Sequence, residues 1–342
     1  MISSAAQPSP SYSSKETAPC PVCRDPDPVA YARGRDLLFG RAHGIFALYR
    51  CQACGCIFQH PAPDDSTLAE AYPRDYWWSE GPRPESAVTR LLLRLERAYR
   101  EFVAADHLRF LDYCARKNGA GERLVLDIGC GSGTFLHIAR SRGFVPHGMD
   151  TSARAVEIAG KQYGYPVRQG DIGSGVWGDC RFDFVTMFHV LEHLRDPRQG
   201  LRSAGALLKP GGTLVIQVPN IASIQARIFG RRWYGLDVPR HVINYSPRAL
   251  SLVLEGTGLD FRLVSRFSLR DNPASIASSI VPWLDPIGRK GRKLASGTIF
   301  EAGARIAYLG IFLLSLPPAF IESVFGFGGT LWAYARREGG HL

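Results

Sequence analysis

An α/β fold built on a mostly parallel sheet is what this sequence predicts, on three observations. Short apolar runs alternate with helical stretches from residue 122 to about 270, the pattern of strands linked by crossover helices. A glycine-rich turn, Asp127-Ile128-Gly129-Cys130-Gly131-Ser132-Gly133, directly follows the run Leu124-Val125-Leu126 and opens a helical stretch. A last apolar run, TLWAYARR at 330–337, arrives only after an insertion at 271–327.

The strand candidates are LVLDIG (124–129), PHGMD (146–150), YPVRQGD (165–171), FDFVTM (182–187), TLVIQVP (213–219) and LDFRLVS (259–265). With 342 residues there is room for about two domains of roughly 100–200 residues each. The 45% hydrophobic and 21% charged content is ordinary for a globular chain with a large core. A net charge of +10 fits nucleic acid, an anionic membrane surface or a phosphorylated substrate, and does not choose among them.

Residues 1–18 are rich in Ser, Pro and Ala and lack the apolar core of a secretory signal, so they read as a disordered leader. A cytoplasmic chain is expected, and its eight cysteines are then expected to be reduced thiols. Five of them fall within 19–60, where Cys20-Pro-Val-Cys23 and Cys51-Gln-Ala-Cys54 form two C-x-x-C pairs 27 residues apart. Each pair can place two sulfurs on one ion, and four thiolates complete the tetrahedral shell of a structural zinc. Cys56 is one thiol more than zinc needs. A redox dithiol is the alternative, but neither pair lies on a βαβ pattern.

Residues 61–121 read as a helical linker or lid, with an aromatic cluster (Tyr72, Tyr76, Trp77, Trp78) and then helical spacing from about 87 to 117. The sheet domain spans 122–270, and residues 328–342 hold the last strand and tail. Within the insertion, Ile306 to Ile321 carries no charge. A spanning helix needs about 20 apolar residues, and Pro317-Pro318 interrupts this stretch. A buried hairpin or an interfacial segment is therefore expected, with Arg289, Lys290, Arg292 and Lys293 facing anionic headgroups at the inner face of a membrane.

The glycine turn carries the most specific chemistry. Glycines let a backbone turn sharply and approach a ligand, and helix N-terminal amides point at it. A dinucleotide loop would read Gly-x-Gly-x-x-Gly. Here the third position is Thr134 and an acid precedes the first glycine. A cationic cofactor with an amino group wants that carboxylate, whereas a pyrophosphate does not.

At these residues the chain resembles the class I S-adenosylmethionine methyltransferases, whose first motif is acidic-x-Gly-x-Gly-x-Gly. The resemblance implies a Rossmann-like methyltransferase sheet with its last strand antiparallel, and a cofactor held by Asp127, Gly129, Gly131 and Gly133. Asp150, ending HGMD, matches the acid that holds the ribose hydroxyls, with Thr151 beside it. Asp171, in RQGDI, matches the acid near the adenine amino group, with Ile172 beside it. FDFVTMFHVLEHLRDP and LKPGGTLVIQVPN match the fourth and fifth strands and their turns. The cysteine module resembles the zinc ribbon that precedes such domains in a set of bacterial small-molecule and sugar methyltransferases.

His189-Val190-Leu191-Glu192-His193 also spells H-x-x-E-H, a zinc-protease pattern that requires its first histidine inside a helix. Here His189 ends a strand, where ligands meet open α/β sheets, so it reads as lining the methionine end of the cofactor site. Glu192 and His193 read as orienting the turn. Asn220, after the fifth strand, should face the pocket. Downstream, Arg231 to His241 packs aromatic and charged residues into one loop, where His241 is the candidate base and Arg240 a candidate phosphate ligand. The leading expectation is methyl transfer to a small-molecule or glycan-type acceptor, including lipid-linked ones. Its rival is an RNA methyltransferase that docks through the ribbon. Charge favours that rival slightly, but the ribbon's arginines are offset by Asp25, Asp27 and Asp36, and the apolar insertion has no evident use on RNA.

Overall fold

The computed structural model describes residues 18–73, 94, 108, 111–116, 122–291 and 298–337. The leader, the aromatics Tyr76, Trp77 and Trp78, and most of the predicted helix at 87–117 lie outside the described residues.

Two sheets organise the molecule. The larger holds seven strands in the order β10-β11-β8-β7-β4-β5-β6. Its members are β4 (Leu124–Ile128), β5 (Val145–Asp150), β6 (Val167–Gln169), β7 (Phe182–Phe188), β8 (Leu208–Pro219), β10 (Leu259–Ser265) and β11 (Thr330–Arg337). Each expected run became a strand: β4, β7 and most of β8 are continuous buried runs, as suits strands covered on both faces, whereas the edge strand β6 is largely exposed. Only β11 runs antiparallel to its neighbours, paired with β8 on one side and β10 on the other. From β4 the chain first builds outward through β5 and β6, then returns to lay β7 and β8 on the other flank. The strand order thus reverses between β4 and β7, the position where ligands meet such sheets.

The smaller sheet holds β1 (Val29–Gly34), β2 (Phe46–Arg50), β3 (Ile57–Gln59) and β9 (Ile243–Asn244), in that order. The cysteine region therefore takes its fourth strand from a segment far downstream. Cys20, Cys51, Cys54, Cys56 and Phe58 also share one buried cluster with Val242, Tyr245 and Leu254 and with the sheet residues Leu126, Met187 and Ile216.

The insertion before the last strand is apolar and helical, as expected, but the hairpin is not formed. In place of a hairpin, one helix runs unbroken over Thr298–Val324 with both prolines inside it. Neither proline can donate to the carbonyl four residues back, so the bonds to Leu313 and Leu314 are lost. Packing keeps the axis continuous: Ala304, Phe312, Ser315, Ala319 and Glu322 recur at helical spacing and are buried. That face lies against the helix Asp271–Ile280. Tyr308 Oη meets Ser278 Oγ at 2.9 Å, and Asn272 Nδ2 donates to Ser323 Oγ at 3.0 Å. The opposite face stays apolar and exposed at Ile306, Leu309, Leu313, Leu314, Phe320, Ile321 and Val324. By length and composition the stretch Phe300–Val324 suffices to cross a membrane, with a mean hydropathy of 1.6. The basic approach is also revised: Arg289 is buried with its guanidinium 5.8 Å from the Phe300 ring centre, and Arg292 and Lys293 lie outside the described residues.

Candidate functional site

Two loops leave the C-terminal sheet edge on either side of the order reversal. The first follows β4. Gly129 and Cys130 donate to the Met149 carbonyl at 2.7 and 3.1 Å, which pins the loop to the end of β5. Gly129 has φ +73°, and a Cβ built there would meet Val190 Cγ2 at 2.6 Å, so only glycine fits between the two loops. Asp150 ends β5 and faces the first loop: its Oδ2 accepts the Gly131 N–H at 2.9 Å and its Oδ1 the Ser152 N–H at 2.8 Å. Gly133 then starts the helix Thr134–Ser141. Thr151 stands beside Asp150, its carbonyl accepting from Gln169 Nε2 at 3.3 Å.

Asp127 is buried, and its Oδ1 accepts the Thr186 hydroxyl at 2.6 Å. Burial pushes its carboxyl up to about 7, against the lowering effect of that hydrogen bond. A buried carboxyl held near neutrality gains its charge readily when a cation arrives. Beyond β6, Asp171 Oδ1 accepts the Gly173 N–H at 2.9 Å. Asp171 and Ile172 line a cavity of about 210 Å³ together with Met149 and Trp177. Asp127, Gly129, Gly131, Gly133, Asp150, Thr151, Asp171 and Ile172 thus lie along one edge of the sheet.

The second loop follows β7. His189 lies just past the strand in a left-handed conformation, φ +56°, so the helix that a metalloprotease motif needs is absent here. Its Nδ1 lies 3.2 Å from Glu192 Oε1 and its Nε2 3.4 Å from Asp271 Oδ2. Burial alone would lower its pKa. The charge and hydrogen bonds of Asp271 and Glu192 outweigh burial and raise it to about 9. His189 is thus held between two carboxylates that favour its imidazolium form.

Leu191–His193 forms one 3-10 turn. His193 Nδ1 donates to the Arg240 carbonyl at 2.9 Å, and the ring packs edge-on to His241 with centres 4.8 Å apart. Burial lowers the pKa of His193 to about 4, and the adjacent His241 adds to that. His241 Nδ1 donates to the Gly235 carbonyl at 2.8 Å. Its Nε2 lies 3.9 Å from Glu192 Oε1 and 3.8 Å from Asp237 Oδ2.

Two expected ligands have other work. Asn220 does not face the pocket: its Nδ2 donates to the Gly328 carbonyl at 2.7 Å and its Oδ1 accepts from Ala222 N at 3.0 Å, tying β8 to the lead into β11. Arg240 is neither solvated nor open to a phosphate. Fully buried, its Nη2 donates to Asp36 at 2.9 Å, its Nε contacts Asp237 at 3.0 Å, and its Nη1 donates to the Ala71 carbonyl. It clamps the N-terminal region to the 231–241 loop. A charge in that setting needs paired acids, and Asp36 lies too far along the chain for sequence spacing to reveal it.

In the cysteine module one ligand sulfur from each of Cys20, Cys23, Cys51 and Cys54 lies within 4.8 Å of every other. Cys20 and Cys54 are 3.7 Å apart, and Cys23 and Cys51 3.4 Å. A tetrahedral zinc with bonds of about 2.3 Å needs sulfurs about 3.8 Å apart, so this set fits the ion. The Cys54 N–H also donates to Cys51 Sγ at 3.4 Å, as a thiolate favours. Cys56, fully buried, is 3.5 Å from both Cys20 and Cys54.

A family model described as "Methyltransferase domain" matches residues 95–264. Ubiquinone biosynthesis O-methyltransferase of Xanthomonas axonopodis pv. citri (strain 306) is 31% identical over 176 residues, covering 47% of this chain and 72% of that protein. The chain belongs to the methyltransferase-domain family. The protein of the same name in Coxiella burnetii (strain RSA 493 / Nine Mile phase I) is 30% identical over 129 residues, or 36% of this chain. The chain spans about half of that relative's length, 53%. Among solved structures, a SAM dependent methyltransferase from Archaeoglobus fulgidus has 24% identity and a TM-score of 0.43, over 69% of this chain and 93% of that one.

Proposed function

We propose that the chain transfers a methyl group from S-adenosylmethionine to a small-molecule or glycan-type acceptor. The observation that carries this reading is the glycine loop at the order reversal of the sheet, hydrogen-bonded from β5 by Asp150. Asp127 would balance the cofactor's ammonium. Asp150, whose oxygens each keep a further lone pair, would accept from the ribose hydroxyls with Thr151 beside it. Asp171 and Ile172 would border the adenine, and the backbone at Gly129, Gly131 and Gly133 would approach the amino-acid end, where His189 stands. The sulfonium is itself a strong methyl donor, so what these residues contribute is in-line positioning and exclusion of water.

The matched relatives are named as O-methyltransferases of ubiquinone biosynthesis, which supports an oxygen atom as acceptor. For a poorly nucleophilic acceptor the chain offers His241: its Nδ1–H is held by Gly235, which leaves Nε2 a lone pair for a proton. The test is transfer of labelled methyl groups to a whole-cell extract, fractionated into small molecules, lipid, protein and RNA. Label in the small-molecule or lipid fraction is expected, and label confined to RNA or protein would refute the acceptor class.

The cysteine module is proposed to hold one structural zinc on Cys20, Cys23, Cys51 and Cys54. Elemental analysis should find one zinc per chain, lost in Cys20→Ser and kept in Cys56→Ser. Because the module shares its core with the sheet domain, zinc loss should lower the stability of both. The exposed apolar face of Thr298–Val324 supports contact with a lipid surface, and so an amphiphilic acceptor. With Arg289 buried, flotation with vesicles should depend on that apolar face more than on salt, and Leu314→Glu should abolish it.

A further inference from the structure

The mechanism above leaves Glu192 and His193 unused, and both sit against His241. A nitrogen or oxygen of each of these three residues lies within 4.8 Å of the others. Each histidine gives its Nδ1–H to a backbone carbonyl, His193 to Arg240 at 2.9 Å and His241 to Gly235 at 2.8 Å. A carbonyl can only accept, so in each neutral ring Nε2 bears a lone pair and no hydrogen. Glu192 is fully buried, and its Oε1 faces His189 while its Oε2 has no hydrogen-bond partner among the described residues. His241 Nε2 lies 3.9 Å from Glu192 Oε1, so two imidazoles and a buried carboxylate with one unpartnered oxygen are gathered at one place, with the Tyr72 hydroxyl 3.2 Å from His193 Nδ1. Such an arrangement is costly when left alone and favourable around a cation.

We propose that Glu192, His193 and His241 hold a divalent transition-metal ion. Two histidines whose other nitrogens are fixed by backbone carbonyls, with one carboxylate, match the ligand types of zinc, iron and cobalt sites. Three protein ligands leave positions open for water or for oxygens of a bound molecule. The site adjoins the cofactor loop, since Val190 abuts Gly129. Resting on the methyl-transfer reading, the acceptor it suits is one with two neighbouring oxygens, both within reach of one ion. With the ion bound, the Nε2 lone pair of His241 is a ligand, and the ion rather than the imidazole eases loss of the acceptor's proton.

The test is a Co2+ titration of the full-length, zinc-loaded protein, followed by calorimetry and visible absorption. One added Co2+ per chain is expected, with ligand-field bands and no thiolate charge-transfer band. Glu192→Gln and His193→Gln should each weaken Co2+ tenfold or more while S-adenosylmethionine affinity and zinc content stay unchanged. Retained cofactor affinity shows that these variants are folded. No Co2+ bound at millimolar concentration, or equal binding in both variants, overturns the proposal and leaves His241 as a base alone. Wild-type protein that fails to bind S-adenosylmethionine would refute the methyltransferase reading, while the Co2+ titration still judges the metal site.

Discussion

The loops after β4 and β7 stand side by side on one sheet edge and are built in opposite ways. The β4 loop takes its chemistry from consecutive residues, with backbone amides and the neighbouring Asp150 as its partners. The β7 loop takes its partners from afar: Asp271 is 82 residues from His189, and Arg240 is 47 from His193. A loop of the first kind is specified by spacing and depends on the absence of side chains. One of the second kind depends on charges and lone pairs that other segments supply.

That difference is open to attack at the contact between the loops. Gly129→Val should be the most damaging change, because φ +73° and a Cβ 2.6 Å from Val190 displace both loops together. Calorimetry should find no S-adenosylmethionine binding, and wild-type affinity would take this loop out of the cofactor site. Asp150→Ala removes only one anchor of the β4 loop and should weaken cofactor binding by ~1–3 kcal/mol, with unfolding little changed.

For the β7 loop the effect should appear in stability. Asp271→Asn removes a charge from His189 and should cost about 1–2 kcal/mol by denaturant unfolding, reduced from a fully buried pair by partial exposure of both groups. The pKa of His189 rises from 6.5 to about 9 on folding, so the pair's contribution is complete below 6.5 and lost as pH climbs through about 9. The wild-type stability curve should decline across that window and the variant's should be flatter. Equal slopes would mean that His189 is not charged.

The smallest expected effect is at Asp127. Its carboxyl titrates near 7, so affinity for a cationic cofactor should rise modestly as pH passes upward through about 7. Asp127→Asn should remove that dependence, and a wild-type profile without any slope would break the link between this carboxyl and the ammonium.

Most of the sheet was legible in advance because strands buried on both faces must be apolar runs, and the glycine loop because its backbone demands appear in consecutive letters. The cysteine spacing announced a four-sulfur cluster for a similar reason, since two sulfurs three residues apart already form half of one. Legibility failed where the partner was distant. Asn220 and Arg240 looked like ligands until Gly328, Asp36 and Asp237 were found to occupy them. The proline pair looked like a helix break, but a buried face packed on a neighbouring helix outweighed two missing hydrogen bonds.

By itself, then, the sequence determined the α/β class, the strands of the larger sheet, the glycine loop and the four-thiol set. Each rests on local periodicity or short spacing, which one segment carries whole. Tertiary structure alone decided that the ribbon borrows β9, that the long helix stays intact with an apolar outer face, and that Glu192, His193 and His241 converge. Those outcomes depend on which groups burial brings together, because removing a charge or a lone pair from water obliges it to find a partner wherever the chain has placed one.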